Sequence, residues 1–386
     1  MAETVNVGII GGGLMGRELA AAIGRWAALE DHPVVPRLTA VCDSNPEVLA
    51  WFDRCETVTL RTTDHTEVLS DERVDVVYIA VPHHLHERIY LDTIDAGKDF
   101  LGEKPFGIDL GAASRIVDAL GAKPAVFARC SSEIPYFPGA QRAFAMVASG
   151  GLGPIIEAHS SFCHSSDLDL DKPINWKRRQ ESCGRIGVMG DLGMHTLHLP
   201  LRLGWMPQSV YAVLQNLVPT RPTSAGSTEH TTCDTIENAT LLCTVKSDES
   251  TFPLTLEQKR IAPGEKNSWR FKVTGMNGGF EFSTRYPKTL WRFTTDGDDQ
   301  IWQQIEMGSQ SAFATVTGGI FEFGFSDAIL QMWAAYLAER AGALGTRLGC
   351  VTPEEALASH LVFNAALRSS ETSHAERPTI PQPAPV

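Results

Sequence analysis

A chain of 386 residues exceeds what one hydrophobic core ordinarily supports, so its length predicts two domains. Hydrophobic residues make up 43% and charged residues 20%, as in folded soluble proteins, while a formal charge of -13 and a pI of about 5.4 count against nucleic acid or anionic membranes as partners. The eight cysteines are scattered without a C-x-x-C pair, which reads as reduced core thiols with no disulfide framework and no metal site.

The first element is the apolar, β-rich run "VNVGII" at 5–10, entered without the basic region and cleavage site of a secretory leader. No uncharged apolar run reaches the length of a membrane span, so a cytoplasmic location is expected. The strand passes into "GGGLMG" and then "RELAAAIGRWAALE", of helical composition. Gly11, Gly13 and Gly16 make G-x-G-x-x-G, the setting in which bare backbone approaches a pyrophosphate at a helix N-terminus. Glycine clusters also build plain turns, but the strand before and helix after favour a dinucleotide cradle, with Leu14 and Met15 of the same loop among its contacts. The next strand, "RLTAVCD", ends at Asp43, whose carboxylate suits ribose hydroxyls and repels a 2′-phosphate. That favours NAD over NADP, the other reading being an exposed acid at a strand end.

Alternation continues through "DVVYIAVP" at 75–82, "HERIYLDTIDAGK", "DFLGEKP" at 99–105, a helix from Asp109 to Leu120, and "PAVFAR". Strands separated by such helices predict an α/β fold with a parallel sheet and right-handed crossovers. Loops at the strand ends face the cofactor, which places Pro82, His83 and His86 of "PHHLH" and Glu103 and Lys104 of "EKP" at the chemistry. His84 reads as surface.

From about residue 130 the pattern changes to "PIIEAHSSF", "SVYAVLQNL", "NATLLCTV", "PLTLEQKRI", "WRFKVTG", "GFEFSTR" and "LWRFTT", as in a meandering antiparallel sheet. Two helices follow, the second opened by Thr352 as N-cap, Pro353, and Glu355 completing a capping box. The expected domains are 1–129, 130–372 and an extended Pro-rich tail at 373–386. Between the first two strands of the second domain lies "HSSDLDLDKPINWKRRQESCGRIG", then "GDLGMHTLH". On a helix the latter puts Asp191, His195 and His198 on one face, which fits an acid–base station, a divalent-metal site or a solvated polar face.

The motifs together resemble the Gfo/Idh/MocA family, named for glucose-fructose oxidoreductase, inositol dehydrogenase and rhizopine catabolism. The matches are the glycine turn, "VPHHLH" against P-N-x-x-H, "AGKDFLGEKP" against A-G-K-x-V-x-x-E-K-P, "DLGMH" against D-x-G-x-H, and "VTGMNGGFEF" against a G-x-x-G strand turn, in family order. The resemblance implies a Rossmann domain, then an α/β domain with a large, mostly antiparallel open sheet that often makes the oligomer interface of a homodimer or homotetramer. It also implies a bound nicotinamide cofactor with a sugar or cyclitol ring over it at the domain junction. By position, Lys104, Asp191 and His195 carry the family's catalytic roles and His86 matches the histidine of P-N-x-x-H. Departures are His83 for a usual Asn, His198 for a usual Asp, Arg185 and Ile186 within a usual glycine run, and Tyr136 for a frequent arginine.

Oxidising a secondary alcohol needs a base near neutrality and a cation for the developing alkoxide; His195 suits the first and Lys104 the second, with Asp191 orienting the imidazole. The resemblance places the polar loop over the substrate, where Lys177, Arg178, Arg179 and Arg185 could hold a carboxylate or sulfonate and Trp176 could pack on the ring. The alternative is a solvated charge run paired with Asp167, Asp169 and Asp171. Tyr136 and His198 are further candidate substrate contacts. The expected activity is removal of hydride from a ring hydroxyl. The alternative is a redox-neutral NAD-dependent glycosidase working through a transient keto-sugar, acting for example on a sulfoquinovoside or glucuronide. A non-catalytic cofactor-binding regulator fits poorly with Lys104, Asp191 and His195 all in place.

Overall fold

The computed structural model describes residues 2–247 and 249–379. Its contacts divide the chain into two compact units: the chain up to Gln141 together with Met307–Ala356, and Arg142–Glu306 together with the chain from Leu357 onward.

The first unit alternates β1 (Glu3–Ile10), α1 (Leu14–Gly24), β2 (Val34–Cys42), α2 (Pro46–Leu49), β3 (Leu60–Thr62), α3 (His65–Ser70), β4 (Val76–Ile79), α4 (His86–Asp95), β5 (Asp99–Gly102), α5 (Leu110–Ala122) and β6 (Ala128–Cys130). All six strands pair in parallel, in the order β3-β2-β1-β4-β5-β6. Every residue of β4 is buried, as expected of a central strand covered on both faces. The order reverses between β1 and β4, and the crevice beyond their carboxyl ends is where open sheets of this kind take ligands.

α6 (Pro138–Ala148) leads into β7 (Ile155–His164), α7 (Gln180–Cys183), α8 (Val188–Arg202), β8 (Pro207–Gln215), β9 (Thr220–Pro222), β10 (His230–Thr232), β11 (Asn238–Lys246), β12 (Thr251–Lys259), β13 (Asn267–Gly275), β14 (Gly278–Ser283), β15 (Thr289–Asp296) and β16 (Asp299–Glu306). Eight of these strands form one sheet in the order β16-β15-β14-β13-β7-β12-β11-β8, and β9 with β10 make a separate ribbon. The expected meander is present from β13 to β16. It is interrupted in the middle, where β7 enters between β13 and β12 and runs parallel to β12. One face carries the core, with Leu241, Leu254, Leu256, Trp269, Phe271 and Phe282 buried, and α8 packs against β7, β11 and β12.

The two closing helices are α9 (Phe325–Arg340) and α10 (Pro353–Thr372). The single cut expected after residue 129 falls instead after Gln141, and the chain returns to the first unit at Met307 and leaves it again after Ala356, because α9 packs on α1 in the first unit. Its residues Ala328–Ala338 are all buried, so no single apolar stripe marks which layer it belongs to. The box at the head of α10 forms as expected: Thr352 N–H donates to Glu355 Oε2 at 2.9 Å and Glu355 N–H to Thr352 Oγ1 at 3.2 Å. Of the tail, residues 380–386 lie outside the described residues; before them Glu376 exchanges backbone hydrogen bonds of 2.8 and 2.9 Å with Val210 on β8. Among the described residues no helix is long and apolar enough to cross a membrane.

Candidate active site

In the first unit the candidate residues cluster at the carboxyl ends of β1, β2, β4 and β5. Gly11 has φ of 103°, and a Cβ there would lie 2.3 Å from Ala80 O, so only glycine fits this turn. A Cβ at Gly16 would meet Gly11 O at 2.3 Å, which lets α1 close on the turn, whereas a Cβ at Gly13 would meet nothing within 4 Å. Gly13 is the N-cap of α1 and no side chain caps it, leaving first-turn N–H groups for a ligand. Leu14 is 73% exposed beside them, followed by Met15. Asp43 anchors the same loop, Oδ2 accepting from Gly12 N–H at 2.8 Å and Oδ1 from Asn45 N–H at 2.9 Å. An open, uncapped glycine cradle with a carboxylate at the end of β2 fits a dinucleotide with unmodified ribose hydroxyls.

At the end of β4, Pro82 precedes a short 3-10 turn, His83–Leu85, in which His83 is buried. His86 is buried at the head of α4, with Nε2 3.0 Å from Val81 O, Nδ1 accepting from Gly107 N–H at 3.5 Å, and its ring stacked 5.1 Å from that of Tyr90. It therefore ties together the two loops expected at the cofactor. Glu103, expected among the cofactor contacts, is buried and takes the Tyr78 hydroxyl on Oε1 at 2.6 Å. Burial, with Glu103 beside it, holds the Tyr78 phenol well above its ordinary pKa, so it remains a donor. Tyr136, expected at substrate, is buried in this unit with its hydroxyl 3.4 Å from Cys350 Sγ.

In the second unit α8 is preceded by its N-cap Gly187, whose φ of 51° and 2.7 Å Cβ approach to Ile236 O demand glycine. Val188–Pro200 are all buried, and Asp191, His195 and His198 are each 3% exposed or less, which overturns the reading of a solvated polar face. Asp191 is held by two cations: Oδ1 accepts from Lys177 Nζ at 2.8 Å and Oδ2 from Arg260 Nε at 3.2 Å. Arg260, at the end of β12, is completely buried. Burial opposes its charge, but Asp191 and Cys183 outweigh that and hold its pKa above the ordinary value. His195 packs edge-on to Phe162 with ring centres 5.3 Å apart, and its carbonyl accepts from Trp269 Nε1 at 2.9 Å. Among the described residues no group of three or more His, Cys, Asp or Glu side chains is placed to hold a metal ion.

The basic loop is largely committed to internal pairs. Lys177 pairs with Asp191, and its ammonium lies 5.7 Å from the centre of the Trp176 ring. Arg178 is buried in an ion pair with Asp167, so it is neither a free anion receptor nor part of a solvated run. Arg185 pairs with Glu371 at 2.6 Å on the surface. The carbonyl of Lys177 accepts from Arg178 Nη1 and Arg260 Nη1, each at 3.2 Å, and from Thr235 Oγ1 at 3.0 Å. Arg221 of β9 adds bonds to the carbonyls of Asp167 and Asp169, both at 2.6 Å, so the loop is a fixed wall. Arg179 is half-buried.

Five residues of these clusters carry no motif signal in the sequence: Arg260, Arg221, Tyr78, Tyr90 and His164. His164, at the end of β7, accepts Ser166 N–H on Nδ1 at 3.3 Å, which leaves the proton on Nε2. Burial pushes its pKa down to about 4, with Arg260, Lys177 and Arg178 adding and Asp191 opposing. A histidine closing a strand that leads into the polar loop was the available signal.

Residues 5–129 match the family model described as "Oxidoreductase family, NAD-binding Rossmann fold", and residues 140–281 match the "GFO/IDH/MocA C-terminal domain". The chain is similar to levoglucosan dehydrogenase of Pseudarthrobacter phenanthrenivorans, 28% identical over 232 residues that cover 59% of this chain and 58% of that protein. It is also similar to D-xylose 1-dehydrogenase (NADP(+)) of Hypocrea jecorina, 22% identical over 242 residues covering 61% of this chain and 60% of that one. The matched segments thus span about three-fifths of these relatives. A solved structure of levoglucosan dehydrogenase in complex with NADH superposes with a TM-score of 0.87 at 20% identity, covering 98% of this chain and 100% of that one, which establishes the fold.

Proposed function

The chain belongs to the Gfo/Idh/MocA family of oxidoreductases, with an NAD-binding Rossmann domain, and on that premise we propose that it oxidises a secondary hydroxyl of an uncharged sugar or cyclitol ring. NAD, when bound, supplies the hydride acceptor. Gly13 and the first turn of α1 hold its pyrophosphate and Asp43 its adenine ribose. Lys104 meets the substrate oxygen and stabilises negative charge as the carbon–hydrogen bond breaks. His195 takes the hydroxyl proton. Asp191, one turn earlier on α8, is held between Lys177 and Arg260 and orients the imidazole. Trp176 and His198 line the ring, with Arg179 as a further contact.

The observation that carries the choice of a neutral substrate is the pairing of Lys177 with buried Asp191 and of buried Arg178 with Asp167, which leaves little of the loop's charge for a carboxylate or sulfonate. Levoglucosan and D-xylose, named in the similar dehydrogenases, are likewise uncharged. Eight free cysteines, seven of them buried, fit a reducing cytoplasm. Exposed Tyr211, Val213, Leu242 and Trp302 on the outward face of the large sheet support a homodimer or homotetramer, which sedimentation velocity checks.

The test is incubation with NAD and a panel of neutral and anionic sugars and nitrophenyl glycosides, reading NADH and nitrophenolate separately. Stoichiometric NADH with a neutral sugar is expected. Turnover confined to anionic sugars would overturn the substrate class, and repeated nitrophenolate release without net NADH would replace the dehydrogenase by the redox-neutral glycosidase.

A further inference from the structure

Lys104 sits in a turn that the backbone does not favour. Phe106, two residues on, has φ of 66°, a left-handed conformation that a bulky side chain rarely adopts, and it is fully buried. Such a residue persists only where its surroundings over-determine it. The surroundings here come from β4 and α4. Tyr90 donates its hydroxyl to Glu103 O at 2.6 Å, the carbonyl that also receives Phe106 N–H at 3.4 Å. Tyr78 donates to the Glu103 carboxylate at 2.6 Å. The fit is tight: a Cβ on Gly102 would fall 2.5 Å from the Tyr90 hydroxyl oxygen, so the phenol lies directly on the strand that leads into the turn. The Phe106 ring is edge-on to Tyr90 at 5.1 Å and stacked on Phe100 at 6.2 Å. One turn earlier on α4, His86 stacks on Tyr90 and accepts Gly107 N–H.

We propose that Tyr90 and Tyr78 are positioning residues that fix the strained Glu103–Phe106 turn and thereby the placement of Lys104. Both hydroxyls are buried and grip the residue immediately before the lysine, one by its carbonyl and one by its side chain. Neither touches the reacting atoms. Their effect on catalysis runs through the position of the ammonium, to which rates are steeply sensitive: a displacement of about 1 Å can cost about 100-fold. The inference rests on the reading of Lys104 as the group that meets the substrate oxygen.

The experiment compares Tyr90→Phe, Tyr78→Phe and Lys104→Met with the unaltered enzyme, measuring NADH binding, thermal midpoint, kcat, KM and the pH dependence of kcat. For Tyr90→Phe the expected result is unchanged NADH stoichiometry, KM within about twofold, kcat lower by about tenfold, and a displaced limb of the pH profile. Tyr78→Phe gives the same pattern, and it carries the test alone should Tyr90→Phe fail to fold. A lowered thermal midpoint with kcat and pH profile unchanged in both variants, while Lys104→Met is inactive, overturns the positioning role. Wild-type turnover by Lys104→Met instead overturns the reading of the lysine itself, whatever the tyrosine variants do.

Discussion

Asp191 has two cationic partners in unlike surroundings, and removing each has a different consequence. The Arg260 side chain is 0% exposed and that of Lys177 is 37% exposed, against 4% for Asp191. Replacing Arg260 by Met leaves a carboxylate inside the protein with one of its two charge partners gone, and breaking a buried pair from one side costs about 3–5 kcal/mol. Replacing Lys177 by Met removes a partner that water can partly replace, and such pairs contribute about 0–1 kcal/mol. The Arg260→Met variant is therefore expected to unfold at markedly lower denaturant, while Lys177→Met unfolds near the wild-type midpoint yet loses about tenfold or more in kcat/KM. Because two units need not unfold together, the decisive quantity is the coupling in a double-mutant cycle of Arg260→Met with Asp191→Asn, followed by tryptophan fluorescence in urea. A coupling below about 1 kcal/mol, or equal destabilisation by the Arg260 and Lys177 variants, would refute the assignment of a structural cation and a functional one.

The glycine cradle separates fold from binding. A Cβ at Gly13 meets nothing within 4 Å, so Gly13→Ala should keep its thermal midpoint while NADH affinity falls about tenfold; Gly16→Ala, with its Cβ 2.3 Å from Gly11 O, should lose both. Wild-type NADH affinity in Gly13→Ala, read by fluorescence titration, contradicts the cradle. Asp43→Asn keeps an oxygen for Gly12 N–H but not the charge, and its preference for NAD over NADP should narrow by about tenfold in side-by-side titrations. His164 titrates at about 4 in the fold against an ordinary 6.5, so the unfolded chain takes up its proton first. The stability it contributes is complete above about 6.5 and is lost as pH falls toward 4, and His164→Gln should flatten the stability profile across that window, measured by urea midpoints at successive pH values.

What was legible in the sequence follows from how locally each feature is determined. The glycine turn, the Thr352–Glu355 box and the i, i+4 placement of Asp191 and His195 depend on residues within one turn of each other, and all three form as the spacing requires. Strand β16, "DQIWQQIE", carries no strand signal because it is exposed along nearly its whole length and shows no apolar alternation. The break in the meander at β7 is set by a pairing with β12 some ninety residues away, to which no local signal points.

The same distinction decides how the site's charge is to be read. The run Lys177, Arg178, Arg179 looks like an anion receptor because sequence displays charges without their partners. In the fold, Asp167 comes back from eleven residues upstream to neutralise Arg178, and Arg260 arrives from the end of β12 to share Asp191 with Lys177. Three donors then converge on the Lys177 carbonyl and fix the loop's backbone. Buried polar groups require such satisfaction, so a cation on a loop packed over buried acids is first a partner to those acids and only then a receptor for substrate. A motif points to candidate side chains; the net charge around them is set by partners that the motif does not contain.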